Sequence, residues 1–215
     1  MTRIIIIRHG QSIANAQDLF AGHSDFDLTD FGKKQAHCAA LYLKEREKID
    51  AIYSSDLLRA YHTACPLGDT LGIPVIKDTT FREMFGGEWE SRNYSRLIYD
   101  YPEDFAVWQH DYSNARPTGG ESSREVYERI VPHVLSIAKK HDGETVVIAT
   151  HATVLRAFDA FAKGYSALET GKVRFAHNAS INIYECDGEC ATVVSTDITE
   201  HLGDLISALP TIINA

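Results

Sequence analysis

Residues 4–10 read IIIIRHG, so a run of four isoleucines passes directly into an arginine, a histidine and a glycine. The run predicts a short, fully buried β-strand, because it is continuously apolar and is bounded by a glycine. Burying the charged pair Arg8 and His9 without a ligand or partner is energetically costly. In open parallel sheets, ligands bind at the carboxyl ends of the strands. The stretch therefore indicates an oxyanion site with a nucleophile or proton donor, although a strand that surfaces into solvent would explain it equally well.

The remainder of the chain alternates apolar runs with helical patterns. Further strands are predicted at 51–53, 74–76, 144–150, 181–186 and 191–196. Helices are predicted after Thr29, with an apolar face that includes Phe31, Cys38, Leu41 and Leu43, and at 57–71, 91–111, 122–140 and 152–163. Pro66 is expected to kink or restart the second of these helices. The alternation predicts one domain over residues 1–215, a three-layer α/β/α sandwich with a mostly parallel central sheet and late antiparallel strands.

Composition narrows the classes of partner. The 215 residues include 21 basic and 30 acidic side chains, a formal charge of −9. This balance disfavours a broad nucleic-acid surface and means that an anionic substrate must be held by a few focused cations. No apolar stretch approaches the roughly 18 residues of a membrane span, and no signal peptide is visible, which predicts a cytoplasmic protein. The four cysteines lack the CxxC pairs of a zinc site, although Cys186 and Cys190 flank a predicted turn and could face each other.

Several other strand ends also carry reactive side chains. Arg59 follows the second predicted strand, His151 follows the strand at 144–150, and Glu83 precedes a glycine-rich loop. Taken singly, His151 is more simply a satisfied histidine and Arg59 a surface residue of a helix. If the strands are parallel neighbours, however, their ends converge, and two arginines, two histidines and a glutamate share one pocket. Ser54 and Ser55 lie nearby as possible nucleophiles, but the chain has no Gly-x-Ser-x-Gly elbow.

Together these residues resemble the histidine phosphatase superfamily, also called the phosphoglycerate mutase-like family. The resemblance extends over nearly the whole chain and rests on Arg8-His9-Gly10, Asn15, Gly22, Asp25, Leu28-Thr29, Gly32, Ser54-Ser55-Asp56-Leu57, Arg59-Ala60, Glu83, Gly87, Trp89-Glu90, Tyr101-Pro102-Glu103, Trp108, Gly119-Gly120-Glu121-Ser122 and His151. Three positions depart from the family pattern. Ala152 and Ser91 stand where glycine is common, and Pro66 interrupts a helix that usually runs through.

The resemblance implies a role for each residue of the pocket. His9 would be the nucleophile that forms a phosphohistidine, and Arg8 and Arg59 would clamp the phosphoryl oxygens. His151 would stabilise the transferring charge, and Glu83 would be the general acid. The substrate-binding set would be completed by Asn15 as a neutral donor, by Gly22 and by the backbone amide of Ala152. No metal and no cofactor is expected.

The implied function is hydrolysis of a small organic phosphate by a metal-independent phosphomonoesterase. A cofactor-dependent phosphoglycerate mutase and a non-catalytic phosphate-binding protein are the alternatives. The expected partner is a small phosphorylated metabolite, with no nucleic acid or membrane, and the chain could form a homodimer. We expect specificity to lie in residues 91–116, the lid segment, whose arginines suit a second anionic group on the substrate or are ordinary surface residues. These are Arg92, Arg96 and Arg116.

Overall fold

The centre of the fold is a six-stranded sheet with the strand order β3-β2-β4-β1-β5-β6, in a computed structural model that describes residues 1–208. Its strands are β1 (Thr2–Arg8), β2 (Ala51–Ser54), β3 (Val75–Lys77), β4 (Thr145–Thr150), β5 (Ile181–Cys186) and β6 (Ala191–Ile198). β3, β2, β4 and β1 are parallel neighbours. β5 runs antiparallel to β1, and β6 runs antiparallel to β5. The predicted mostly parallel sheet with late antiparallel strands is confirmed.

Helices cover both faces of this sheet. They are α1 (Ile13–Ala16), α2 (Asp30–Arg46), α3 (Leu58–Leu71), α4 (Tyr94–Asp100), α5 (Pro102–His110), α6 (Ser123–Lys140) and α7 (Ala152–Ala162). Successive side chains of a strand point to opposite faces. Accordingly, Ile5 and Ile7 pack in one core cluster with Leu43 of α2. Ile4 and Ile6 pack in a second cluster with α6 and α7. The three-layer sandwich is therefore confirmed.

Local signals set the ends of the helices. The side chain of Thr29 accepts a hydrogen bond from the amide of Gly32 at the start of α2, and Ser122 and Glu125 form a capping box at the start of α6. Gly72 ends α3 in the left-handed region, with φ of 68°. Pro66 was expected to kink or restart α3, and the helix does not restart there, because it continues from Leu58 to Leu71. Buried residues on both sides of the proline attach the two halves of the helix to the same core.

The lid segment folds as α4 and α5 around an aromatic cluster. The rings of Trp89 and Trp108 lie 5.7 Å apart, and Phe20 lies 5.3 Å from Trp108. This packing connects the lid to the loop after α1. Cys186 is buried and Cys190 is exposed, and both thiols are free, so they do not pair. Within residues 1–208, every helix is too short or too polar to cross a membrane.

Candidate active site

The strand order brings the predicted residues to one edge of the sheet. Arg8 pairs in register with Thr150, the last residue of β4 before His151. β2 lies on the other side of β4 and leads through Ser55 to α3. A cleft at this edge encloses about 620 Å³, including space open to solvent. Seven of the eight predicted site residues line it: Arg8, His9, Asn15, Gly22, Arg59, Glu83 and Ala152. The eighth, His151, is fully buried, with its ring centroid 5.3 Å from that of His9.

His9 is held with one ring nitrogen free. Its Nδ1 lies 2.7 Å from the carbonyl oxygen of Gly10. A carbonyl can only accept, so Nδ1 carries the proton and Nε2 keeps its lone pair. Burial, followed by the charges of Arg59 and Arg8, holds the pKa of His9 well below its usual value. The imidazole is therefore neutral at neutral pH, which is the state that a nucleophile requires.

His151 has the opposite arrangement, because its Nε2 is the nitrogen in a hydrogen bond. Nε2 lies 2.9 Å from the hydroxyl oxygen of Ser55. That hydroxyl accepts a hydrogen bond from the amide of Leu57 at 3.3 Å, so its own proton can go to His151. Nδ1 of His151 then carries the ring proton as a donor. Burial and Arg59 hold the pKa of His151 well below its usual value. Sequence reasoning considered Ser55 only as a nucleophile, and this contact was missed.

The two arginines are fixed by backbone carbonyls. Arg8 donates to the carbonyl of Ala176. Arg59 donates to the carbonyls of Ser24 at 2.9 Å and Gly22 at 2.7 Å. Burial lowers the pKa of Arg59 to about 10, so its side chain remains cationic at neutral pH. Both guanidinium groups are thus oriented before any ligand arrives.

Unsatisfied buried donors concentrate at this edge. Within residues 1–208, six buried side-chain polar atoms have no hydrogen-bond partner, and three of them are Nε of Arg8, Nε of Arg59 and Nδ1 of His151. Leaving a buried donor unsatisfied costs about 1–3 kcal/mol. An oxyanion beside Nε2 of His9 is the type of ligand that would satisfy such donors. The arrangement can therefore bind a tetrahedral oxyanion and present a nucleophile to its central atom.

Glu83 is held by backbone amides at the side of the cleft. Its carboxylate accepts from the amide of Met84 at 2.8 Å, and the amide of Thr153 lies 3.3 Å from both of its oxygens. The Glu83 backbone is anchored from behind by Arg129 of α6, which donates to the carbonyls of Arg82 at 2.8 Å and Glu83 at 3.2 Å. Arg129 was not among the predicted residues.

A carboxylate in turn holds Arg129. The guanidinium of Arg129 donates to Glu121 at 2.6 and 2.9 Å. Glu121 also accepts from the amide of Phe85 at 3.3 Å. The pair therefore fixes both flanks of Glu83. The Gly119-Gly120-Glu121-Ser122 motif was the available sequence signal, but nothing in it showed which arginine Glu121 would meet.

The predicted neutral donors also line the cleft. The side-chain oxygen of Asn15 accepts from the amide of Ser12 at 3.0 Å and from the side chain of Asn178 at 3.2 Å. These bonds leave the amide nitrogen of Asn15 as the group available to a ligand. Ala152 is the first residue of α7, where a backbone N–H has no partner inside the helix. The carbonyl of Gly22 orients Arg59, as described above.

The three lid arginines lie elsewhere. Arg92 and Arg96 each lie 3.6 Å from Asp100, and Arg116 lies 2.7 Å from Glu125. None of the three lines the cleft; the lid contributes Tyr94 and Trp108 instead. All three are therefore surface residues paired with carboxylates, and they give no support to a second anion site. In the part of the chain that the structure describes, no group of three or more His, Cys, Asp or Glu side chains is arranged to hold a metal ion.

Comparisons with known proteins agree with this geometry. The sequence model of the histidine phosphatase superfamily (branch 1) matches residues 4–199. Phosphoserine phosphatase 1 of Hydrogenobacter thermophilus is 32% identical over 204 residues, covering 95% of this chain and 96% of the relative. Bacillus stearothermophilus YhfR superposes with a TM-score of 0.88 at 29% identity, over 94% of this chain and 100% of that one. Mycobacterial glucosyl-3-phosphoglycerate phosphatase with VO3 superposes with a TM-score of 0.82 at 28% identity, over 91% and 98% of the two chains.

Proposed function

Since this chain belongs to branch 1 of the histidine phosphatase superfamily and is a phosphoric monoester hydrolase, we propose that its reaction passes through a phosphohistidine at His9. The observation that carries the proposal is the set of three unsatisfied buried donors around the free Nε2 of His9. The phosphoryl group of a small organic phosphate would accept from Nε of Arg8, Nε of Arg59 and Nδ1 of His151. Asn15 and the backbone amide of Ala152 would donate to the same group.

In the first step, the lone pair on Nε2 of His9 forms a bond to phosphorus. The bond between phosphorus and the ester oxygen breaks, and its electron pair goes to the leaving oxygen. Protonated Glu83 supplies the proton that this oxygen takes up. The proton stays on Nδ1 of His9 and remains hydrogen-bonded to the carbonyl oxygen of Gly10, which stabilises the phosphorylated ring. Arg8 and Arg59 stabilise the charge on the transferring group without a metal ion.

The second step returns the enzyme to its starting state. The Glu83 carboxylate takes a proton from a water molecule, whose oxygen attacks phosphorus. The bond between phosphorus and Nε2 breaks, and its electron pair returns to His9. Inorganic phosphate then leaves the cleft. Glu83 is protonated again and is ready for the next ester.

Hydrolysis is favoured over mutase action by the charges in the cleft. A phosphoglycerate mutase must hold a substrate that carries a carboxylate or a second phosphoryl group besides the transferring one. The cations that line this cleft are Arg8 and Arg59, and both belong to the first phosphoryl site. We further propose that the protein acts in the cytoplasm on a small phosphorylated metabolite and binds neither nucleic acid nor membranes, as its charge of −9 supports. A homodimer is also proposed, since β3 and β6 are the edge strands of the sheet and an edge strand can pair with another chain.

The test is a panel of small phosphomonoesters, with and without chelator, for the wild type and His9→Ala. We expect turnover that survives the chelator, inhibition by vanadate, and complete loss of turnover in His9→Ala. Quenched reactions with labelled substrate should place acid-labile phosphate on His9. Near wild-type hydrolysis by His9→Ala, or chelator inhibition that zinc or magnesium reverses, would contradict the proposal. Isomerisation of 3-phosphoglycerate in the presence of 2,3-bisphosphoglycerate, in place of hydrolysis, would establish the mutase alternative.

A further inference from the structure

The cleft is also lined by a negative residue, Asp18, that the proposed reaction does not use. Besides the residues already assigned, the cleft is lined by Ala14, Asp18, Leu19, Phe20, Ala21, Tyr94, Trp108, Thr153 and Phe175. Asp18 is the one charged residue in this second set. The alcohol part of a substrate has to lie among these side chains, because Arg8, Arg59 and His9 surround the phosphoryl group. Asp18 would therefore present a negative charge to the leaving group.

Asp18 is fixed by its backbone, and its carboxylate has no partner. Its carbonyl accepts from the amide of Tyr94 at 3.0 Å, which connects the turn after α1 to the lid. The residue is half-buried and adopts a left-handed φ of 54°. Its carboxylate makes no hydrogen bond or ion pair with any residue in 1–208. A half-buried carboxylate without a partner in a binding cleft is a group that a cationic ligand would satisfy.

The side chains around Asp18 also favour a cationic ligand. Burial, then Glu83 and, to a smaller extent, Asp18 raise the pKa of the Tyr94 phenol, whereas Arg8 lowers it, and the net rise keeps the hydroxyl protonated. The aromatic rings of Tyr94, Trp108 and Phe175 line the same cleft. Aromatic faces attract organic cations. A carboxylate on the leaving group would instead approach the negative charge of Asp18, and the cations that line the cleft, Arg8 and Arg59, are engaged by the phosphoryl group.

We propose that Asp18 is a specificity-determining residue that selects phosphomonoesters whose alcohol carries a protonated amine, the class of the phosphorylated amino alcohols. The ammonium group would donate to the Asp18 carboxylate while the phosphoryl group lies on Arg8 and Arg59. The inference rests on the proposed function, because it takes the phosphoryl site as the anchor of the substrate. It adds a charge preference for the other end of the molecule.

Three esters of matched chain length test the proposal. They are O-phosphoethanolamine, 2-hydroxyethyl phosphate and phosphoglycolate, whose far ends are cationic, neutral and anionic. We expect kcat/KM to be about tenfold higher for the amine than for the neutral ester, as for a charge-assisted hydrogen bond, and lowest for phosphoglycolate. In Asp18→Asn the ratio between amine and neutral ester should fall close to one. Asparagine tolerates the left-handed backbone at this position. Asp18→Gly, which also tolerates it, provides a second variant if the first does not fold.

The control variant is Glu103→Gln, which removes an exposed carboxylate of α5 outside the cleft. This variant should keep the wild-type ratio of kcat/KM between O-phosphoethanolamine and 2-hydroxyethyl phosphate. The same ratio is also measured as relative Kd by calorimetry on His9→Ala, so the preference is tested even if no ester is hydrolysed. Equal ratios in wild type and Asp18→Asn, or a preference for phosphoglycolate, would overturn the role of Asp18. Absence of hydrolysis together with an Asp18-dependent preference in binding would overturn the proposed reaction alone.

Discussion

The two terminal nitrogens of Arg59 donate hydrogen bonds to the carbonyl oxygens of Gly22 and Ser24. Its Nε has no hydrogen-bond partner within residues 1–208. A planar guanidinium can hold two carbonyls and still direct a third donor at a ligand. The ammonium of lysine carries three donors on one flexible atom and cannot reproduce these directions. The identity of this residue therefore matters beyond its charge.

We predict that Arg59→Lys weakens vanadate binding about tenfold, because lysine keeps the charge but loses the directed Nε–H donor, and that Arg59→Ala weakens it about a hundredfold, because alanine loses both the donor and the charge. Titration calorimetry or inhibition constants would measure this. Arg96→Lys is the matched control, because Arg96 is exposed and lies outside the cleft. Wild-type affinity in Arg59→Lys would show that only the positive charge at this position is needed.

If Glu83 is the general acid, the effect of removing it depends on the leaving group of the ester. A phenolate leaves with little protonation, whereas an alkoxide needs a proton. We predict that Glu83→Gln slows hydrolysis of a sugar phosphate by about 10²–10⁴-fold, the usual contribution of a general acid, and slows p-nitrophenyl phosphate much less. Both rates must be measured with phosphorylation of His9 rate-limiting. Equal losses on both esters would mean that Glu83 is not the acid.

At the scale of elements, α6 and the motif that begins it act as a support for the loop of the acid. Arg129 on α6 holds the backbone of Arg82 and Glu83, and Glu121 holds Arg129. Displacing a reacting group by about 1 Å can cost a hundredfold in rate. Arg129 is thus a positioning residue, since it acts through Glu83 and does not line the cleft.

We predict that Arg129→Ala reproduces the pattern of Glu83→Gln, with a larger loss on the sugar phosphate than on p-nitrophenyl phosphate. Arg129→Lys should restore part of the difference. Arg124→Ala serves as the control on the same helix, because Arg124 is exposed and, among residues 1–208, pairs only with Glu128. If Arg129→Ala lowers stability and slows both esters by the same factor, Arg129 supports the fold and does not position the acid.

Elements also mark the limit of what the sequence could predict. Continuous apolar runs located β1 and β4, and parallel topology then brought His9 and His151 together. In α2, however, Leu41 was expected on the buried face and is 42% exposed. Besides Leu43, the helix buries several small residues that periodicity did not single out, such as Gly32 and Ala36. A Cβ on Gly32 would collide with the carbonyl oxygen of Gln11. Hydrophobic periodicity marks large side chains and does not show where two backbones approach closely.

The same limit applied to the polar side chains. The sequence predicted the phosphoryl site because its residues directly follow strands or begin a helix. It could not show that the lid arginines Arg92, Arg96 and Arg116 turn away from the cleft, since each finds a carboxylate partner only in the folded chain. The contact between Ser55 and His151 was likewise hidden, because it joins residues 96 positions apart.

At the scale of the whole molecule, the two buried histidines make stability depend on pH. Their pKa values are depressed in the folded chain, whereas the unfolded chain keeps a value near 6.5. As the pH falls below about 6.5, the unfolded state takes up protons that the folded state does not. Stability is therefore full above the unfolded pKa and is lost as the pH falls towards the depressed folded values.

We predict that the free energy of unfolding falls with a slope of at most about 2.7 kcal/mol per pH unit below pH 6, as two protons differ between the states. Urea unfolding at pH 7.5, 6.5 and 5.5 measures the slope. His9→Gln and His151→Gln should each reduce it by about half, whereas His37→Gln, an exposed control, should leave it unchanged. A slope that neither variant alters would place the acid sensitivity in other groups.

The unsatisfied donors around His9 also have a consequence for the enzyme in its cellular setting. Donors arranged to bind the transferring phosphoryl group also fit the orthophosphate that the reaction releases. The product therefore competes with substrate for the same site. A ligand that binds only the folded state stabilises it by mass action. Ambient phosphate would therefore protect the enzyme against heat while slowing it. The rate of hydrolysis then depends on the ratio of ester to free phosphate, and it is highest when the phosphate concentration is low.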